Sequence, residues 1–215
     1  MLSDIREVLA GLPEVLPQDR AAHYFQSPTY YPVYTQIAAW LEPHSLLEFG
    51  TRLGYSLIAL AHGAPDVRRA WWVDNECGVK DSNAKAWRNL TAYYEGVRGT
   101  APPEAAAFTS DWELAPLLAG SQVDLIHIDG EHAYHAVVRE LELAYQLAPR
   151  CILVDDWCGA PIQEAVKAWA RSRNIGFRVV DTCDHGLAVI DLTAGRKVLT
   201  PLLASSWRIL ERVEW

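Results

Sequence analysis

Three aspartates and one histidine in the second half of the chain carry the clearest chemistry. Asp129, Asp155 and Asp156 are hard oxygen donors that follow two apolar runs, Val123–Ile128 and Cys151–Val154. Carboxylates gathered from two strand ends leave positions open for water and substrate oxygens, an arrangement that suits Mg²⁺, or Ca²⁺ or Mn²⁺. The competing account is that Asp155 and Asp156 cap the following loop while Asp129 stabilises a turn with Gly130. His132 lies three residues beyond Asp129. An imidazole with an ordinary pKa of about 6.5 can take a proton at neutral pH; the alternative is a loop histidine bonded to its own backbone. Of the other histidines, His135 forms an HxxH pair without the Glu or Cys context of a zinc site, so it reads as solvent-facing or packed. His127, inside an apolar strand, reads as a satisfied core residue. His185, ahead of the last strand, could reach the same edge.

These residues need a frame to bring them together, and the chain supplies an alternating one. Strands are expected at Ser45–Phe49, Ala70–Asp74, Ala105–Thr109, Val123–Ile128 and Cys151–Val154. Helical stretches follow at 54–62, 81–97, 113–119, 134–147 and 161–171, the last with a proline suited to its first turn. Strand-then-helix repetition argues for a parallel sheet covered on both faces. Phe177–Val180 and Leu187–Asp191 follow each other without a helix and should pair as a hairpin. The expected fold is therefore α/β: a Rossmann-like, doubly wound, mostly parallel sheet of seven strands with an antiparallel terminal strand. The whole chain, 1–215, reads as one domain. Residues 1–44 form a helical cap on the substrate side, 45–192 the cofactor-binding core and 193–215 a C-terminal tail.

On that frame, acids recur at strand ends: Glu48, Asp74, Asp111, Asp129, Asp155 and Asp156. Ligands of open parallel sheets bind outside the carboxyl ends of the strands. Polar loops alone explain two or three such positions but not the set, and so many converging carboxylates raise one another's pKa unless a cation or ligand relieves them. The loop Glu48-Phe-Gly-Thr-Arg-Leu-Gly54 places glycines four apart, unlike the GxGxxG dinucleotide fingerprint. Asp74, 24 residues after Gly50, stands at the distance of an acid that binds ribose hydroxyls.

With these motifs in hand, the chain resembles the class I S-adenosylmethionine-dependent methyltransferases. The likeness rests on ExGxxxG at Glu48–Gly54, Asp74 after the second strand and the terminal strand pair. It sharpens over Val123–Trp157, where Asp129-Gly130-Glu131-His132-Ala133-Tyr134 and Asp155-Asp156-Trp157 are similar to the family-24 methyltransferases, a group that includes macrolide sugar O-methyltransferases and cephalosporin-hydroxylase-like proteins. The match spans roughly residues 40–192. The resemblance implies that Gly50, Thr51 and Gly54 approach the methionine part of the cofactor while Glu48 orients the loop or the cofactor's amino group. Asp74 would take the ribose, and Ser110 and Asp111 would lie at the adenine edge, with Trp112 covering the base or only packing helix on sheet. Metal-dependent catechol-type enzymes place acidic ligands at the positions of Asp129, Asp155 and Asp156, and a lysine base where His132 stands. The usual Pro-Gly-Gly turn before the fifth strand is Pro149-Arg150-Cys151 here.

The function expected is S-adenosylmethionine-dependent O-methylation of a small hydroxylated metabolite, assisted by a divalent metal such as Mg²⁺, with Asp129 and His132 as the catalytic pair. A nicotinamide-dependent Rossmann oxidoreductase, or a cofactor-binding family member without transferase activity, is the alternative. Tyr24, Phe25, Tyr30, Tyr31 and Tyr34 suit a stacking acceptor, or seal the sheet or a dimer contact. The tail Trp207–Trp215 could pack on its own domain or on a second copy, giving a homodimer.

Composition narrows the partners. The 215 residues carry 19 basic and 27 acidic side chains, a net charge of −8, and only four of the basic residues are lysine. With no Lys/Arg-rich run, a nucleic-acid partner is not expected, since phosphate binding needs clustered cations. No apolar run reaches 18 residues, so no membrane span is expected. The four cysteines lack CxxC spacing and read as free thiols of a cytoplasmic protein.

Overall fold

The structure is a computed structural model that describes residues 3–16, 23–114, 122–182, 185–194 and 197–213. Its centre is a sheet built from β1 (Ser45–Phe49), β2 (Arg69–Val73), β3 (Glu104–Phe108), β4 (Leu125–Ile128), β5 (Cys151–Val154), β6 (Phe177–Val180), β7 (Leu187–Asp191) and β8 (Ile209–Val213). The spatial order is β3-β2-β1-β4-β5-β7-β6-β8. The first five strands in that order run parallel, and β7 is antiparallel to both β5 and β6. The order reverses direction between β1 and β4, the switch point where open α/β sheets bind ligands.

The sheet has eight strands, not seven. The segment 193–215, expected as a tail, supplies a short helix at Leu199–Ala204 and strand β8, which pairs antiparallel with β6 across a bulge at Val179/Val180. Sequence could not separate this strand from an amphipathic tail, because an edge strand buries only one face: Leu210 is exposed beside half-buried Ile209. The helix expected at 113–119 falls mostly outside the described residues; Asp111–Leu114 is a 3₁₀ turn.

β1, β4 and β5 are buried along their whole length, as parallel strands covered on both faces must be. Alternation divides them. Leu46, Leu125 and Leu153 face a layer made by the N-terminal helices α1 (Ile5–Ala10), α2 (His23–Gln26) and α3 (Tyr30–Leu41), with α4 (Tyr55–Gly63) and α5 (Ser82–Tyr93). Leu47, Ile126, Ile152 and Val154 face α6 (Tyr134–Gln146) and α7 (Ala160–Arg173). The expected helical cap is thus part of the first layer. Among the described residues no helix is long and apolar enough to cross a membrane.

Candidate active site

The loop after β1 opens with Gly50 at φ +80°, where a Cβ would lie 2.0 Å from the Asp129 carbonyl oxygen. Only glycine allows this approach, and the neighbour it admits is the β4 loop. Gly50 therefore sets where Asp129 sits. The loop is tied from below by Glu48, which is fully buried: its carboxylate accepts from the hydroxyls of Thr51 and Ser56 (2.5 Å for Ser56) and meets His127 Nδ1 at 2.7 Å. Glu48 orients the loop from inside the core and does not line the cavity above it. Gly54 is the N-cap of α4.

Asp74, just past β2, accepts from the backbone N–H of Arg52 (2.6 Å) and of Glu76 (2.7 Å) and from the Ser82 hydroxyl (2.7 Å). These bonds fix its carboxylate at the cavity wall. Beyond β3, Ser110 and Asp111 reach the same wall, where Asp111 pairs with Arg139 at 2.7 Å. The Trp112 side chain lies outside the described residues.

At the ends of β4 and β5, His132 Nε2 lies 3.6 Å from Asp129 Oδ1 and 3.3 Å from Asp156 Oδ2. Asp129 first, and the charge of Asp156 after it, raise the His132 pKa above its ordinary value against an opposing effect of burial. Burial pushes the Asp129 carboxyl above the carboxylate range; His132 opposes this and the Asp155 charge adds to it. On its other side Asp156 meets His185 Nδ1 at 2.6 Å.

Asp155 does not join them. It is 2 % exposed, accepts from the Tyr30 hydroxyl at 2.5 Å through Oδ2, and leaves Oδ1 without a partner. The reason is alternation: Asp155 continues the face of Leu153, toward the N-terminal helices, whereas Asp156 at φ +52° leaves the strand and turns into the cavity. The donor group on the cavity side is Asp129, His132 and Asp156, with His132 where a third carboxylate was expected.

Gly50, Asp74, Ser110, Asp111, Asp129, His132 and Asp156 open into one cavity of about 920 Å³, lined also by Tyr30, Tyr31 and Tyr55. A family model described as a methyltransferase domain, family 24, matches residues 47–158, just over half the chain and the whole stretch from β1 to the β5 loop. The chain belongs to methyltransferase family 24. No curated protein matches it. Solved structures share its fold at low identity. An O-methyltransferase from Bacillus cereus in complex with SAH is 17% identical, with 88% of this chain and 90% of that chain covered and a TM-score of 0.58. TomG from Streptomyces achromogenes, an O-methyltransferase of tomaymycin synthesis in complex with SAM, is 19% identical over 89% and 96%, TM-score 0.56. The SAH-bound methyltransferase PaMTH1 of Podospora anserina is 13% identical over 90% and 89%, TM-score 0.63.

In this family-24 protein two further side chains shape the cavity without having stood out in the sequence. Glu140, on α6, is buried with Oε2 unpartnered, and burial pushes its pKa up to about 8. Its position one turn beyond Ala136 and Val137 on the helix's buried face was the only available signal. Ser56, the second residue of α4, donates to Glu48. His127 is in the core as expected but only half satisfied, since its Nε2 has no partner. His135 is exposed and packs edge-on to Tyr134.

Proposed function

We propose that this protein is an S-adenosylmethionine-dependent O-methyltransferase acting on a small hydroxylated metabolite with the help of a divalent cation. The observation that carries the reading is the one cavity into which Gly50–Arg52, Ser56, Asp74, Ser110–Asp111 and the Asp129–His132–Asp156 group all open. Its volume stands at the upper end of small-ligand pockets, roughly 300–1,000 Å³, with room for a cofactor beside an acceptor.

Along that cavity the roles divide by chemistry. The backbone of the Gly50 loop, held by Glu48, receives the methionine part. Asp74, already fixed by three donors, offers the remaining lone pair of its Oδ2 to a ribose hydroxyl, and Ser110 with Asp111 borders the adenine. Tyr30 and Tyr31 present aromatic surface to the acceptor. The cofactor supplies an electrophilic methyl group, and the cation lowers the pKa of an acceptor hydroxyl. Asp129 and Asp156 fit such a cation, because Mg²⁺ is commonly held by one or two carboxylates and completes its shell with water. His132 accepts the acceptor's proton, and the two carboxylates beside it stabilise the imidazolium so formed. Reduced thiols and the excess of acids suit a cytoplasmic enzyme without a nucleic-acid partner.

Calorimetry with S-adenosylmethionine and, separately, with NAD tests the cofactor: binding of the first alone is expected, and its absence overturns the reading. Release of S-adenosylhomocysteine in the presence of Mg²⁺, screened over phenols, sugars and other hydroxylated metabolites, identifies the acceptor. In that assay His132→Gln should lower turnover on the order of 100-fold with cofactor affinity retained. Cofactor binding with no acceptor turned over would favour a binding protein.

A further inference from the structure

A second group of potential ligands lies beside the first and has a different chemical character. Asp156, Cys158 and His185 each offer one donor atom, and the three atoms lie within 4.8 Å of one another. The group shares only Asp156 with the Asp129–His132 cluster, and Asp156 divides its oxygens: Oδ2 faces His132 at 3.3 Å and Oδ1 meets His185 at 2.6 Å.

Two loops make the group, and their backbones are laced together. The Trp157 N–H donates to the Gly186 carbonyl at 3.0 Å and the Cys158 N–H to the His185 carbonyl at 2.7 Å. Gly186, at φ +77°, admits this contact because a Cβ there would stand 2.9 Å from the Trp157 Cβ. Gln163 Nε2 donates to the Trp157 carbonyl at 2.8 Å, and the Tyr30 ring packs edge-on against His185 at 6.3 Å between centroids. The two loops are therefore held together by the fold, and ion binding would not have to gather them from separate places.

We propose that Asp156, Cys158 and His185 form a site for a borderline divalent transition cation of the zinc class at the rim of the cavity. The donor set decides the class. Thiolate and imidazole favour zinc-type ions over Mg²⁺, which demands oxygens. Three protein ligands leave a fourth position for water or another small ligand, as in open zinc sites. Asp156 and His185 line the cavity, so that fourth position lies close to it. On binding, the Cys158 thiol gives its proton to solvent and the ion takes the thiolate.

The site can be tested without knowing the acceptor. Metal-stripped, reduced full-length protein is titrated with Co²⁺ as an optical probe, and Zn²⁺ affinity is measured by competition with a chromogenic chelator. The wild type should develop a near-ultraviolet thiolate-to-cobalt charge-transfer band with the intensity of one thiolate ligand. Cys158→Ser should abolish the band and weaken Zn²⁺ binding on the order of 100-fold, at the upper end of the roughly 10–100-fold typical of losing even an outer-shell partner. His185→Gln should weaken Zn²⁺ binding comparably, whereas Cys77→Ser, the control for the other exposed thiol among the described residues, should keep the band. A wild type without the band, or a band that survives Cys158→Ser, overturns the proposal. S-adenosylmethionine calorimetry on Cys158→Ser should match the wild type, so failure of this site and failure of the cofactor reading give separate results.

Discussion

Glu140 offers the sharpest physical test, because replacing it should stabilise the protein. The residue is 4 % exposed, its Oε2 has no hydrogen-bond partner, and its pKa is pushed up to about 8 by burial first and by the Asp111 charge second, with Arg139 opposing. Arg139 is itself engaged by Asp111 at 2.7 Å, which limits how far it can compensate Glu140. A folded-state pKa above the unfolded value means that the native protein keeps a proton the unfolded chain releases. Stability is then greatest below about pH 4.5 and declines as pH rises toward 8. At about 1.36 kcal/mol for each pH unit crossed, the decline by pH 7 is roughly 3 kcal/mol. Glu140→Gln keeps the shape of the neutral acid and cannot ionise. It should match the wild type near pH 4.5 and exceed it by about 3 kcal/mol at pH 7, a rise in Tm of roughly 6–12 °C for a chain this size. Urea unfolding of ligand-free protein followed by tryptophan fluorescence, from pH 5 to pH 9, measures this directly. A variant equal to or weaker than the wild type at pH 7, or a difference that does not grow with pH, would show that Glu140 is ionised and compensated in the fold, and the reasoning fails.

Two further substitutions probe the loop and the histidine. Gly50→Ala places a Cβ 2.0 Å from the Asp129 carbonyl at a positive φ, so it should cost about 3 kcal/mol or more; a loss below about 1 kcal/mol in chemical denaturation would mean that the two loops are not in contact. Asp129→Asn removes the largest influence raising the His132 pKa. The His132 ring resonances should then titrate at lower pH than in the wild type, and an unchanged midpoint in NMR titration would remove Asp129 as its partner.

What could be read in the sequence follows from how each signal arises. An apolar run such as Cys151–Val154 shows in any linear reading, because a strand covered on both faces is apolar nearly throughout. The gathering of Gly50, Asp74, Asp111, Asp129 and Asp156 at one end of the sheet follows from strand direction alone. The cap's use of tyrosine was visible; its bond to Asp155 was not, since that contact joins residues 125 positions apart. The Cys158–His185 pairing also depends on loops that meet only in space.

The direction of Asp155 was within reach, and its consequence is functional. Glu48, His127 and Asp155 fall on the strand positions that share a face with Leu46, Leu125 and Leu153, so the alternation that sorts the leucines also sorts the acids. Glu48 and His127 are register partners on β1 and β4, and Asp155 bonds Tyr30 at the start of α3. The result is a buried polar row beneath the cavity, running from the Gly50 loop to the start of α3. Unpaired polar groups in such a place are costly, yet His127 Nε2, Asp155 Oδ1 and the Tyr34 hydroxyl all lack partners there. A row of this kind stabilises less than leucines would, so its presence is better explained by what it holds in place: Thr51 and Ser56 at one end, Tyr30 at the other. Asp155 thus fixes Tyr30 at the cavity wall from inside the core, while Asp156, its neighbour in sequence, lines the cavity itself.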